Sequence, residues 1–140
     1  MPTTIGGTTG VDKVKDINAV SFLPFTKEYV SPQQTMTPGG LISLSHGLGA
    51  TPKLVTYEYV CVTAADGYSV GDVVEVAYSD YSTTVTSNLQ LGLFNTKNNT
   101  TLSIRIGANG PPVMAIKSTG ATANTASTTT NFRLVVRAYA

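Results

Sequence analysis

Residues Leu41 to Tyr78 read LISLSHGLGATPKLVTYEYVCVTAADGYSVGDVVEVAY, and the alternation of apolar and polar residues along them, broken by glycine at set points, decides the fold. Leu41, Ile42, Ser43, Leu44 and Ser45 alternate up to a corner at Gly47 and Gly49, which bracket Leu48 and supply backbone angles that residues with a Cβ avoid. Pro52 closes the corner and extends the residue before it. From Leu54 to Thr63, valines, tyrosines and a cysteine recur with period two; Asp66-Gly67 and Gly71-Asp72 then mark a tight connection into Val73 to Tyr78. The expectation is three consecutive strands of an antiparallel sheet.

Working outward, Thr83 to Leu93 alternates most cleanly, with Val85, Leu89, Leu91 and Leu93 on one face and Thr84, Thr86, Asn88 and Gln90 on the other. That pattern fits a sheet wetted on one side only. Asn95 to Thr101 reads as a polar turn. Leu102, Ile104 and Ile106 alternate with Ser103 and Arg105, and Val113 to Ile116 reads as a short strand. Phe132 to Tyr139 is the last strand. No segment has a convincing helical period. The tract Lys117 to Asn131, rich in Thr, Ala, Ser and Gly and without an apolar stripe, reads as a long loop, flexible from Thr119 to Thr130. The predicted fold class is all-β: an antiparallel β-sandwich or jelly roll of about seven to eight strands. Residues 1–38 lack sustained periodicity and are read as an extended N-terminal arm, with residues 39–140 as the β-sandwich domain. Within the arm, Val20, Phe22, Leu23 and Phe25 form an apolar island too small for a core of its own, so it is expected to dock on the β domain or on a neighbouring subunit.

Composition narrows the function. A formal charge of +1 with 12% charged residues, the basic ones scattered, argues against nucleic acid as a partner, since phosphate recognition needs a concentrated Lys/Arg surface. One cysteine precludes an intrachain disulfide and a multi-cysteine zinc site. No apolar run is long enough to cross a bilayer, and Met1 to Gly7 has no basic and apolar signal pattern, so a soluble, unprocessed chain without membrane insertion is expected.

No catalytic residues, cofactor-binding residues or metal ligands are assigned, and no cofactor is expected. His46 is the sole histidine; its neighbour Ser45 points to the opposite face of a strand, whereas a base must be aimed at its nucleophile, so a backbone-bonded corner histidine is expected. Cys61, between Val60 and Val62, has the setting of a small buried hydrophobe. Asp66, Asp72, Glu75 and Asp80 lack the calcium-loop ligand ladder, and the Asp-Gly pairing suits a turn. Gly6, Gly7 and Gly10 neither follow a strand nor open a helix, so no phosphate loop is indicated. Eight scattered acids single out no glycosidase pair. Tyr57, Tyr59, Tyr68, Tyr78 and Tyr81 cluster in one third of the chain and are candidates for an interface or rim, because tyrosine joins a large apolar body to a polar tip.

The ordered elements His46-Gly47-Leu48-Gly49, Pro52-Lys53-Leu54-Val55, Cys61 and Gly67-Tyr68-Ser69-Val70-Gly71-Asp72 resemble a β-rich surface module of tailed-bacteriophage virion proteins, found in capsid decoration (cement) proteins and tail-fibre heads. The resemblance covers the middle third of the chain. It implies a homotrimeric virion structural protein without enzymatic activity, made in the host cytoplasm. Because the chain carries little beyond one β domain and an arm, the first expectation is a decoration protein on the capsid exterior, clamping adjacent major capsid proteins, with Val20, Phe22, Leu23 and Phe25 as its arm interface. The alternative is a short tail-fibre or receptor-binding protein attached to tail or baseplate proteins and contacting a host surface glycan or outer-membrane component. Gly10 to Asp16 resembles stretches that precede fibre heads, and the Thr-rich loop would then serve as a variable tip.

Overall fold

A strand buried on one face needs alternate residues apolar, whereas a central strand flanked on both sides tolerates a nearly continuous apolar run. Both patterns occur in the computed structural model, which describes residues 25–76 and 91–140. Among the described residues there are seven strands: β1 (Glu28–Val30), β2 (Leu41–Ser45), β3 (Leu54–Cys61), β4 (Val73–Glu75), β5 (Leu93–Lys97), β6 (Thr101–Ile106) and β7 (Phe132–Tyr139). They form two antiparallel sheets, ordered β1-β7-β3-β4 and β2-β6-β5. The protein is mostly β.

The register shows how the faces are made. Val55, Tyr57, Tyr59 and Cys61 of β3 lie opposite Ala138, Val136, Leu134 and Phe132 of β7, and all of these turn inward. In the second sheet Ile42 and Leu44 lie opposite Ile104 and Leu102, and Leu93 lies opposite Ile106. The inward residues of both sheets join one hydrophobic core, closed at its margins by Met36, Leu48, Met114 and Ala123. A polar tie crosses that core, since Asn95 Nδ2 donates to the Tyr57 hydroxyl at 2.6 Å.

The chain enters the first sheet before residue 38. Three residues of the segment read as an arm, Glu28 to Val30, pair with Arg137 to Tyr139, and Met36 is buried in the core. Just past β1 the ladder is continued by a side chain: Ser31 donates its N–H to the Val136 carbonyl at 2.9 Å, while its Oγ accepts the Val136 N–H at 2.9 Å. Gln34 then bridges to Leu134.

Three local expectations are corrected. The tract read as a flexible loop contains a short helix, α1 (Thr125–Asn131). Asn124 caps it, accepting the Ala126 N–H at 2.7 Å, and the Asn131 carbonyl accepts from Val62 and Thr63. Only Thr128 is buried in it, so no apolar stripe announced it. Second, the polar turn read at Asn95 to Thr101 is shorter: Asn95, Thr96 and Lys97 continue β5, whose pattern is exposed because it is an edge strand, and Asn98 makes the turn by accepting from the Thr100 and Thr101 N–H groups. Third, Val113 to Ile116 is no strand; it holds a single bridge, Ala115 to Thr122.

The Asp66-Gly67 connection is a two-residue hairpin turn. Ala65 and Tyr68 exchange both backbone hydrogen bonds around Asp66 at φ 53° and Gly67 at φ 84°, as a turn with two positive φ values requires. Val20, Phe22, Leu23, Tyr78, Tyr81 and residues 83–90 of the strand read at Thr83 to Leu93 lie outside the described residues.

Candidate functional site

The corner after β2 is built around the His46 ring. Buried between strands, it lies 3.0 Å through Nε2 from the Asn98 carbonyl, and Nδ1 accepts the Leu48 N–H at 3.2 Å. Those two contacts fix one neutral tautomer, Nε2–H donating and Nδ1 accepting. Gly47 at φ 62° and Gly49 at φ 76° let the chain turn tightly enough for the Leu48 N–H to reach the ring. Lys27 Nζ donates to the Leu48 carbonyl at 2.9 Å, and the Tyr29 ring meets the imidazole edge-on at 6.4 Å. The histidine is therefore a fastener between the corner, the Asn98 turn and β1.

The tyrosines separate by role. Tyr57 and Tyr59 are buried; Tyr59 donates to the Pro112 carbonyl at 2.9 Å, and burial pushes its phenol far above the ordinary range. Tyr68 is half-buried, donating to the Ala115 carbonyl at 2.9 Å with its ring edge-on to Phe132 and Lys117 Nζ 5.5 Å above its centre. All three brace the fold. Lys117 also pairs with Asp72 at 2.7 Å, and its hydrogen bond holds that carboxyl below the usual carboxylate range. Of the apolar arm residues, Phe25 is described, and its ring packs on Tyr139 at 5.5 Å between centres.

The surface best suited to a partner is the outer face of the first sheet. Pairs in register share a face, so Leu54, Thr56, Glu58 and Val60 of β3 look outward with Tyr139, Arg137, Val135 and Arg133 of β7. Val30 of β1 and Val73 of β4 extend this face to both edges. Val30, Leu54 and Val73 are 44%, 41% and 57% exposed. Across them runs an ion triad on three strands, in which Arg137 Nε meets Glu58 at 2.9 Å and Nη1 meets Glu28 at 3.1 Å. The bonds to Glu58 and then Glu28 raise the guanidinium above its ordinary value. Next to the triad, Glu75 lies directly opposite Glu58. Like charges so placed repel.

On the outer face of the second sheet, Leu41, Arg105 and Phe94 form one cross-strand row, followed by Ser43, Ser103 and Thr96. Phe94 is 55% exposed and, with Arg105, walls a groove of about 550 Å³.

None of these outward apolar residues was a predicted site, yet the alternation carried the signal. Leu54 shares its parity with Thr56 and Glu58, Leu41 with Ser43 and Ser45, and Phe94 with Thr96, so each is a large apolar residue on a strand's polar face. Among the described residues no three His, Cys, Asp or Glu side chains gather as metal ligands, and no helix is long and apolar enough to cross a membrane. Compared with protein families, curated proteins and solved structures, the chain matches none.

Proposed function

We propose that this chain is a bacteriophage virion structural protein, a β-sandwich that assembles as a homotrimer and decorates the capsid exterior by clamping adjacent major capsid proteins. The observation that carries the reading is the outer face of the first sheet, where exposed Val30, Leu54 and Val73 stand among paired charges. An apolar surface of this kind, interleaved with polar groups, marks a protein partner. The ordered motifs from His46 to Asp72 add the likeness to phage surface modules. In this reading the arm up to Phe25, shorter than the Met1 to Tyr29 span first expected because Glu28 and Tyr29 pair with β7, lies along the capsid or a sister subunit, and burial of Val20, Phe22, Leu23 and Phe25 contributes roughly 1.5–3 kcal/mol for each large side chain fully covered. Phe25, beside Tyr139, leads that arm in at the rim of the proposed face.

The test is attachment to decoration-free heads, read by sedimentation. Replacing Phe22 and Phe25 with Ser should weaken binding by several kcal/mol in total. Ala121→Arg, at an exposed loop position, should leave binding unchanged. Unaltered protein that fails to bind any capsid lattice would remove decoration.

The tail-fibre or receptor-binding reading is kept because of the groove between Phe94 and Arg105. Under it, label on intact particles would appear by electron microscopy at the tail and not on the head.

A further inference from the structure

We infer that the groove on the outer face of the second sheet binds an acidic saccharide, with Arg105 taking the carboxylate and Phe94 taking one face of the sugar ring. The two side chains are placed by register: Phe94 of β5 lies directly opposite Arg105 of β6, and Leu41 of β2 completes the row. Directly opposed residues have their Cβ atoms about 5 Å apart, so aromatic and cation border one site. Leu91, Gly39, Ile106, Gly107 and Ala108 line the rest, and among the described residues no carboxylate does.

Charge complementarity indicates the ligand. Arg105 is exposed, and among the described residues it forms no ion pair, unlike Arg137 with its two glutamates. Its Nη1 donates to the Gly39 carbonyl at 3.1 Å, a contact that steadies the guanidinium and leaves other N–H groups for a ligand. A planar guanidinium at the edge of an uncharged groove suits a carboxylate taken through two parallel hydrogen bonds.

The ring position is set with equal economy. A Cβ on Gly92 would lie 2.9 Å from Phe94 Cε2 and 3.0 Å from Cζ, so the ring folds back over the bare Cα of Gly92. The ring is thus held against the backbone at Gly92 while the residue stays more than half exposed. An exposed aromatic face, apolar and weakly negative, receives the C–H face of a sugar. Beyond the row lie Ser43, Ser103 and Thr96, hydroxyls able to donate to or accept from a polyhydroxylated chain. The three requirements of a uronic-acid residue, an anion fork, a flat apolar platform and neighbouring hydroxyls, meet on one sheet face.

The site stands apart from the face of the other sheet and the arm, on which the proposed assembly rests, so either reading can fail alone. The experiment is calorimetric and NMR titration of the protein with short oligomers of galacturonate, glucuronate and mannuronate, each beside its methyl ester, which keeps the ring and removes the charge. At least one acid should bind, and its ester about tenfold to a hundredfold more weakly, the range for a hydrogen bond to a charged group. Amide shifts should move at Leu91, Gly92, Phe94 and Arg105 to Ala108. Arg105→Gln should match the loss seen with the ester, and Arg105→Lys should fall between. Gly92→Ala, at a position without positive φ, should displace the ring and weaken binding of acid and ester alike. Equal binding of acid and ester, shifts confined to another surface, indifference to Gly92→Ala, or no binding of any of the three acids at millimolar concentration would each overturn the inference.

Discussion

At the scale of single residues, His46 and Tyr59 show how a side chain with reactive chemistry is used as a fastener. His46 accepts the Leu48 N–H and contacts the Asn98 carbonyl, so His46→Ala leaves a buried donor without its acceptor. Loss of such a partner costs about 1–3 kcal/mol, and a urea midpoint lowered accordingly, with the slope of the transition unchanged, is the expected result. Tyr59 gives a pH dependence. Its buried phenol ionises well above the ordinary 10.0, whereas the unfolded chain ionises near that value. The unfolded state therefore loses its proton first, so the stabilisation is complete below pH 10 and is lost as pH rises through and beyond it. Tyr59→Phe removes the bond to the Pro112 carbonyl, costing about 1 kcal/mol at pH 7, but should flatten the alkaline decline. Equal declines in both proteins between pH 9 and pH 11 would contradict the burial account.

Elements follow a different logic, because what a segment becomes depends on what its neighbours offer it. Thr125 to Asn131 is made of weak helix formers apart from Ala126, and its helix is held by side-chain bonds: Asn124 at the cap, Ser127 to Asp66 at 2.6 Å, and Asn131 to Ser127 at 3.1 Å. Asn124→Ala should destabilise the protein by about 0.5–2 kcal/mol and increase hydrogen exchange at Ala126 and Thr128 ahead of the strands. Uniform exchange across α1 and β7 would mean that the helix opens only with the whole domain. The helix also sits close to the Gly110 turn, where an added Cβ would lie 2.4 Å from Thr125 Cγ2. Edge strands tell the same story in reverse: β1, β2, β4 and β5 border the sheets, and each carries one exposed large apolar residue, Val30, Leu41, Val73 and Phe94. Edges are ordinarily blunted with charge. In the proposed reading the apolar residues there serve contact with a partner.

For the whole molecule, two sheets share one core and leave two outer faces of different character, one with exposed Val30, Leu54 and Val73 around an ion triad, the other hydroxyl-rich around Arg105, which forms no ion pair among the described residues. If the first face meets a sister subunit, light scattering should give about three chain masses in solution, or a monomer that trimerises on particles. A stable dimer in both settings would exclude the trimer. Val73→Asp and Leu54→Asp place charge on that face and should shift the population toward monomer, since an unpaired charge resists burial. The second face should show no such effect on assembly with Phe94→Ser.

The strands β2, β3, β6 and β7 were legible because each buries one face against the core, and burial at every second residue is written directly as period two. Gly47, Gly49, Asp66 and Gly67 were legible because positive φ restricts residue type. The sequence alone thus determined an all-β chain with its corner and its hairpin turn. Pairing partners were not written there. That β7 lies between β1 and β3, that Ser31 replaces a ladder bond, and that a threonine-rich tract is helical depend on groups distant in sequence satisfying one another's hydrogen bonds. The outward Leu54, Val73 and Phe94 were visible as apolar residues on polar parity, but only the tertiary structure set them beside Arg137, Glu58 and Arg105, because which charges neighbour an apolar residue is decided by strand order and register, and local pattern encodes neither.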